Sequence, residues 1–467
     1  MKLLGKHTQK TNKVIWLDAK TRRTRTIGEL IETVQVRKAL CKAIPQKCVV
    51  AIDTQQGDWQ TLCSILGVMS ARRVALPLCD FNEAQLRELG VAASLTSDQV
   101  GQVQFKVLET QPVPAPGAVL ILRTSGSSGT PRHVVLGSWG ILQNIDAILS
   151  YLPVIESTKV GLLTPLHYSY GLIGQCMTAL RAGATLVELS RGPWIARQVE
   201  QMRTTEVEVL SAVPSVLTSL TRTADQKRLP ALKVLASAGA PLPSNLVEAL
   251  EQQFPETTLY NQYGMTEASP RICAGKVNRS SYTSGFVGKP LPGIELFIKP
   301  AFHNAPDAPG ELFVRTPSAM LGYWQAPQAS QRLLTQNGLA TGDLGRLDEQ
   351  GNLYICGRAD DLVKIGAERI SLIGVQDAIM SIPGVESCAI CPQENPRFGT
   401  QLIAFVVAPG FEENKLKREF RETLPSIACP QELYLLETLP LSKNGKLDGQ
   451  QLKRFVHQQT YGREVSS

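Results

Sequence analysis

The 467-residue sequence predicts an α/β protein of at least two domains. Three observations carry that expectation. The chain is longer than one core sustains, since single hydrophobic cores stop growing near ~250–300 residues. In its middle, short apolar runs alternate with amphipathic stretches of about ten residues, the pattern of a parallel sheet with covering helices. From about Gly285 the texture changes to short strands cut by Gly and Pro, and beyond Arg358–Asp361 a charged segment leads into a self-contained α+β unit.

Taken in order, "AVLILRTSG" from Ala118 is a buried strand entering a Gly/Ser turn, and Ser138 is placed to cap a helix over Trp139–Ser150. "VEVLSAVP" from Val207 is a strand followed by a helix from about Ser215. "LKVLASAG" from Leu232 is a strand, "SNLVEALEQQF" from Ser244 a helix stopped by Pro255, and "TTLYNQYG" from Thr257 a further strand. "GFVGKPLPGIELFIKP", "GELFVRTP" and "GNLYICGR" read as a small barrel-like antiparallel region. The C-terminal unit reads as helix "LIGVQDAIMSI", strands "ESCAICP" and "QLIAFVVAP", and helix "ENKLKREFRETL". The domains are therefore drawn as 1–357 and 362–467, with a hinge at 358–361.

Composition narrows the function. Hydrophobic residues at 43% support large cores, and 37 Gly with 29 Pro fall well short of a low-complexity chain. Aromatics at 6% give no base-stacking surface, and the net charge of +7 is scattered, so no nucleic-acid partner is expected. The ten cysteines lack framework spacing and read as reduced and mostly buried. Cys388 and Cys391 have metal-like spacing but lie in a strand pattern with no second pair, and no metal is assigned to them. No apolar run reaches signal-peptide or membrane-span length, so a cytoplasmic protein without a membrane span is expected.

The chemistry concentrates in four segments. "TSGSSGTPR" (Thr124, Ser125, Gly126, Ser127, Ser128, Gly129, Thr130, Pro131, Arg132) follows a buried strand with hydroxyls, two close-approach glycines and a cation, the makings of a phosphate cradle. It is not a Walker A loop, because no Gly-Lys-Ser/Thr closes it. "NQYGMTE" brings Tyr263, Gly264, Thr266 and Glu267: an aromatic face for a base, a hydroxyl for a phosphate and a carboxylate for Mg²⁺. Asp343 suits a ribose diol, with Arg358 following it, and Lys446 sits in the turn "LSKNGKLD". Each also has a plain structural reading: a buried Tyr, a surface Asp, a solvated Lys.

In this order, with "GRADDLVKIGAERI" between them, the segments resemble the acyl-adenylate-forming (AMP-binding) superfamily over about Trp59–Asp448, and most closely its compact acyl- and aryl-CoA ligases. The resemblance implies a large multi-layer α/β N-terminal domain and a small mobile α+β C-terminal domain. It implies ATP and Mg²⁺, a small-molecule carboxylic acid made into an acyl-adenylate, and a thioester to CoA or to phosphopantetheine on an acyl carrier protein. By the same resemblance Thr124–Thr130 hold the β- and γ-phosphates. Ser237, Gly239, Ala240 and Pro241 line the adenine and Tyr263 stacks on it. Thr266 contacts the α-phosphate, Glu267 binds Mg²⁺, Asp343 takes the ribose, and Arg358 and Arg369 also serve the nucleotide. Asp360 is the hinge residue, and Lys446 reaches the carboxylate and the α-phosphate.

The physical need is clear: a carboxylate attacking phosphorus brings two anions together, and Mg²⁺ and an ammonium offset that repulsion. The acid pocket is expected at His167, Tyr168, Gly171 and Val213; His167 reads equally as a group at the carboxylate and as a packed core histidine. "PLHYSYGL" has no acid to pair an α-ammonium, which favours a plain acyl or aryl acid. Arg132 stands where the family usually has lysine, and Leu372, Gly374 and Gln376 replace its Pro-x-Glu-x-Glu. Arg132, Leu372 and Gly374 motivate one alternative, a nucleotide-binding regulator with impaired catalysis; the other alternative is an adenylate-dependent ligase that loads only a carrier protein.

Overall fold

The structure is a computed structural model that describes residues 3–55, 57–97, 102–124, 131–192, 195–300, 309–359, 362–365, 368–395, 399–440, 451–452 and 454–455. The chain forms two compact units. One comprises Met1–Phe297, Phe313–Thr341 and Glu349–Leu353; the other Ile298–Leu312, Gly342–Asp348 and Tyr354–Ser467.

The first unit holds two sheets. In one, the strands lie in the order Phe286–Pro290, Arg271–Val277, Thr258–Gly264, Val234–Ser237, Val209–Ala212, Lys159–Leu162, Thr185–Glu188, Val14–Asp18 and Thr24–Thr26. Its interior, from Thr258–Gly264 to Val14–Asp18, is parallel, as the strand–helix alternation predicts. Val209–Ala212 and Val234–Ser237 are buried at every position, the burial expected of strands covered on both faces. Leu217, Leu246, Val247 and Leu250 of the following helices pack with Leu210 and Leu235 into one core.

The second sheet runs Gly322–Tyr323, His133–Gly137, Ala118–Arg123, Val74–Leu78, Val49–Asp53, Ala93–Ser97 and Val103–Val107. Helix Ile27–Leu40 starts at a capping box in which Thr26 and Glu29 satisfy each other's backbone N–H groups. Helix Ser138–Leu149 differs from expectation: its N-cap is Gly137, and Ser138 is already its first helical residue with no side-chain cap. The strand His133–Gly137 runs straight into this helix, which moves the boundary one residue earlier.

Strands Glu295–Pro300, Gly310–Arg315, Gly338–Leu347 and Leu353–Arg358 follow one another in sheet order. The ten-residue strand Gly338–Leu347 escapes the sequence pattern because Gly338 (φ 115°) and Gly342 (φ 74°) interrupt its alternation.

In the C-terminal unit, Ser387–Asn395, Gly399–Val407 and Glu432–Leu435 form a three-stranded sheet. Helix Glu413–Thr423 buries Leu416 and Phe420, one turn apart, against Val375, Ile379, Leu402 and Ala404. Truncating Phe420 to Ala removes about 3–5 kcal/mol of packing. Leu372, at the altered family position, packs against this core. Cys388 and Cys391 belong to separate core clusters, and neither forms a disulfide. Among the described residues no three His, Cys, Asp or Glu side chains converge as a metal cage, and no helix is long and apolar enough to cross a membrane.

Candidate active site

Residues Ser125, Gly126, Ser127, Ser128, Gly129 and Thr130 lie outside the described residues, but the two ends of their loop are fixed. Strands Ala118–Arg123 and His133–Gly137 pair antiparallel, Arg123 opposite His133. The Thr124 N–H donates to the Arg132 carbonyl at 2.8 Å, and the Thr124 hydroxyl to the same oxygen at 3.3 Å. The Thr124 and Arg132 ends are therefore held together as a closed hairpin stem.

The Tyr263–Glu267 segment leaves the strand Thr258–Gly264 through a passage that only glycine allows: a Cβ on Gly264 would lie 1.8 Å from the Pro270 carbonyl oxygen. The turn Thr266–Ala268 then presents two groups. The Thr266 hydroxyl meets the Ser169 hydroxyl at 2.9 Å. Glu267 is 8% exposed, and its Oε1 accepts from the Tyr323 hydroxyl at 2.7 Å. Burial, with the Glu267 charge second, pushes the Tyr323 phenol up, so it stays a donor. The Arg132 guanidinium lies 5.2 Å from the centre of the Tyr323 ring. Arg132, Tyr323 and Glu267 thus form one chain from the end of the hairpin at Arg132 to the carboxylate. Neither Tyr323 nor Ser169 is marked in the sequence; Tyr323 belongs to a two-residue strand, too short to carry a pattern.

Among the described residues no cation lies within ion-pair distance of Glu267. A buried carboxylate held in place by a neutral phenol suits Mg²⁺, which takes one or two carboxylates and completes its shell with phosphates and water. Mg²⁺ bound there would supply charge neutralisation at the nucleotide phosphates.

His167, Ser169 and Tyr170 are placed by the turn that opens the helical segment Ser169–Ala182. Gly171 is required there, because a Cβ would sit 2.5 Å from the carbonyl oxygens of both Thr164 and Pro165. The next six residues, Leu172–Met177, form a π-helical turn, a distortion that often accompanies functional sites. His167 Nδ1 pairs with the Thr54 hydroxyl at 3.1 Å, and its ring packs 4.1 Å from that of Tyr168. Burial, and then the charges of Arg191 and Arg123, lower its pKa to about 4. At neutral pH His167 is therefore an uncharged hydrogen-bonding group, and its recorded partner is Thr54 rather than Thr266 or Glu267.

Ser237 is fully buried at the end of its strand with its hydroxyl unpartnered, while Gly239, Ala240 and Pro241 are exposed. Gly239 (φ 86°) faces Val213, whose Cγ1 would lie 3.5 Å from an added Cβ. In the second unit Arg358 Nη1 contacts Asp343 Oδ1 at 3.1 Å, so two expected nucleotide residues adjoin. Arg369 lies in the strand Glu368–Ser371, its backbone paired opposite Lys364. Asp360 and Lys446 lie outside the described residues.

A hydroxyl-rich hairpin stem and a buried carboxylate on an α/β scaffold make up the candidate site of the first unit. The profile of the AMP-binding enzyme family matches residues 35–324, and that of the AMP-binding enzyme C-terminal domain residues 374–446. The chain belongs to this family, as an enzyme of the AMP-forming acid–thiol ligase class. It is 30% identical over 351 residues to the 2-succinylbenzoate–CoA ligase of Geobacillus kaustophilus, covering 72% of this chain and 69% of that one. To the long-chain-fatty-acid–CoA ligase of Escherichia coli O157:H7 it is 26% identical over 340 residues, 71% and 60% of the two chains. The fold matches o-succinylbenzoate coenzyme A synthetase from Bacillus subtilis, in complex with ATP and magnesium ion, with a TM-score of 0.82 and 22% identity over 97% of this chain and 99% of that one.

Proposed function

We propose that this chain uses ATP to convert an acyl or aryl carboxylic acid into an acyl-adenylate and passes the acyl group to the thiol of CoA. The observation that carries the reading is the pairing of Thr266 with Ser169 beside a buried Glu267 that has a phenol but no cation among its described partners. In this reading Glu267 holds Mg²⁺ and Thr266 donates to the α-phosphate. Thr124–Thr130 and Arg132 take the outer phosphates. Ser237, Gly239, Ala240, Pro241, Tyr263 and Gly264 form the adenine site. Asp343, Arg358 and Arg369 serve the ribose and phosphates. Lys446 screens the attacking carboxylate, and 358–361 is the hinge that separates the two half-reactions.

His167 serves as a neutral hydrogen-bonding wall of the acid pocket, because a ring with a pKa of about 4 carries no charge at pH 7. The names of the relatives frame the acid: one acts on 2-succinylbenzoate, another on long-chain fatty acids. The test is stoichiometry. Incubation with ATP, Mg²⁺, CoA and a panel of acids yields AMP, pyrophosphate and an acyl-CoA; ADP and orthophosphate as products refute the reading. Offering a phosphopantetheinylated carrier protein in place of CoA decides the acceptor, and a thioester formed on the carrier alone refutes CoA.

A further inference from the structure

The buried Glu267 carboxylate is gripped at one oxygen only. Its Oε1 accepts from the Tyr323 hydroxyl, and among the described residues Oε2 has no protein partner. Tyr323 is in turn fixed by the segment 320–324, which crosses between two parts of the site. The Met320 N–H donates to the Glu267 carbonyl at 2.7 Å. The Leu321 N–H donates to the Val135 carbonyl at 2.8 Å and the Trp324 N–H to the His133 carbonyl at 2.7 Å. The Tyr323 N–H donates to the Ser330 hydroxyl at 2.8 Å, and the Trp324 indole to the Leu89 carbonyl at 3.0 Å. Five residues thus tie the backbone of Glu267 to the strand that Arg132 leads into.

The same register brings Arg132 over the phenol. Tyr323 pairs with Val134, and the Thr124–Arg132 backbone bond carries the pairing of the two hairpin strands back to Arg132. Arg132 lies two residues before Val134, so it is a diagonal neighbour of Tyr323, within reach of a long side chain. Its guanidinium stands 5.2 Å from the centre of the Tyr323 ring, and its charge acts on the hydroxyl. A planar guanidinium is the cation best suited to a ring face. The chain of contacts has a direction: a guanidinium only donates, a carboxylate only accepts, and the phenol hydroxyl between them gives its proton to Glu267. A cation at the ring makes that hydroxyl a stronger donor, and burial of both Tyr323 and Glu267 keeps water from competing.

We infer that Arg132 is a positioning residue for the metal carboxylate: acting through Tyr323, it holds Glu267 by Oε1 and leaves Oε2 for Mg²⁺, besides the contact with the outer phosphates proposed above. This inference rests on the reading of Glu267 as the Mg²⁺ carboxylate. A carboxylate already fixed in one orientation loses less side-chain freedom when it takes the ion. The end of the phosphate hairpin and the metal carboxylate are then coupled, and a change at Arg132 is felt as a change in what Mg²⁺ contributes.

The experiment is a double-mutant cycle read by ATP binding. Calorimetry gives the Kd for ATP in EDTA and in saturating Mg²⁺, and the ratio of the two measures the metal's contribution. Tyr323→Phe keeps the ring but removes the donor to Glu267, and should lower the ratio by about tenfold. Arg132→Met should lower it by about threefold or more in the wild-type background, and by no more than about twofold once Tyr323→Phe is present. Arg132→Lys keeps a cation without the plane and should give an intermediate ratio, a rescue that a purely structural role would not produce. An unchanged ratio in Arg132→Met, with weaker ATP binding in EDTA alone, means that Arg132 serves the phosphates only and overturns the inference. Equal losses in both backgrounds overturn it too, as does an unchanged ratio in Tyr323→Phe or a wild-type ratio of unity, which needs no variant to fold. If these ratios hold but no acid supports exchange of pyrophosphate into ATP, the inference stands and the ligase reading falls.

Discussion

Asp58 and Arg271 are both nearly inaccessible, at 2% and 3% exposed, yet the fold treats them in opposite ways. Asp58 opens helix Asp58–Ser70, and its carboxylate is met by the Arg191 guanidinium. Its neighbour Glu188 accepts from the Trp16 indole at 3.0 Å and from the Asp58 N–H at 3.2 Å. Burial still raises both carboxyls above their ordinary range, but the cation and the donors come from the chain. Around Arg271 and Glu267 no opposite charge is found among the described residues. A pair closed within the chain is architecture. A buried charge left open costs stability unless something from outside the chain meets it, and in the proposed reading Mg²⁺ does so for Glu267.

The largest effect should come from cancelling the open charge of Glu267. Glu267→Gln keeps the shape and the Tyr323 bond but removes the carboxylate proposed to hold Mg²⁺. Adenylation should fall on the order of 10²-fold or more, with a raised Mg²⁺ requirement. A Mg²⁺ titration of pyrophosphate exchange checks this, and an unchanged midpoint with unchanged turnover would place the metal elsewhere. Next in size is the absent ammonium partner: α-amino acids should be turned over about 10²–10³-fold less well than their deaminated analogues, because "PLHYSYGL" holds no acid. An amino acid that outperforms its analogue contradicts that expectation.

The closed pair should respond in the opposite currency, stability rather than specificity. Arg191→Met leaves the Asp58 carboxyl without its cation. Because the Arg191 side chain is 39% exposed, the loss should be screened to about 1–3 kcal/mol in urea unfolding. Arg271→Met should cost little or even stabilise, since it removes an uncompensated buried charge. If instead Arg271→Met is the more destabilising of the two, Arg271 is structural and the contrast fails.

Which of these features a sequence discloses follows from their range. The parallel strands around Val209–Ala212 and Val234–Ser237 announce themselves by local apolar runs, and the hairpin at Thr124 and Arg132 by its hydroxyls and glycines. Glu267 stands out within "YGMTE", but its partner Tyr323 lies 56 residues away, and Ser169 pairs with Thr266 across 97. Such partners are chosen by the sheet order, and no local period records them. Arg271 is the instructive case: it is one cation in the apolar run "RICA", and only its burial without a counter-ion distinguishes it from a surface arginine.

The smallest effect tests a neutral group between the two regions. His167 bonds Thr54 and feels Arg191, yet burial is the first cause of its pKa near 4, and Arg191 only the second. Above about pH 6.5 the imidazole is neutral in both folded and unfolded chains and contributes no slope. Between about 6.5 and 4 the unfolded chain binds a proton that the folded one refuses, so stability falls as pH falls through this window and levels off below it. Solvent screening of this partly exposed ring holds the effect to on the order of 1–2 kcal/mol. The raised carboxyls of Asp58 and Glu188 act with the opposite sign, gaining stability toward low pH, so the quantity to measure is a difference. Urea unfolding of wild type and His167→Gln at about pH 7 and about pH 5 should show the variant losing less on acidification. In Arg191→Met most of the His167 slope should survive, because burial remains. Equal slopes in wild type and His167→Gln would mean that the imidazole is open to solvent, and its place in the wall of the acid pocket would have to be given up.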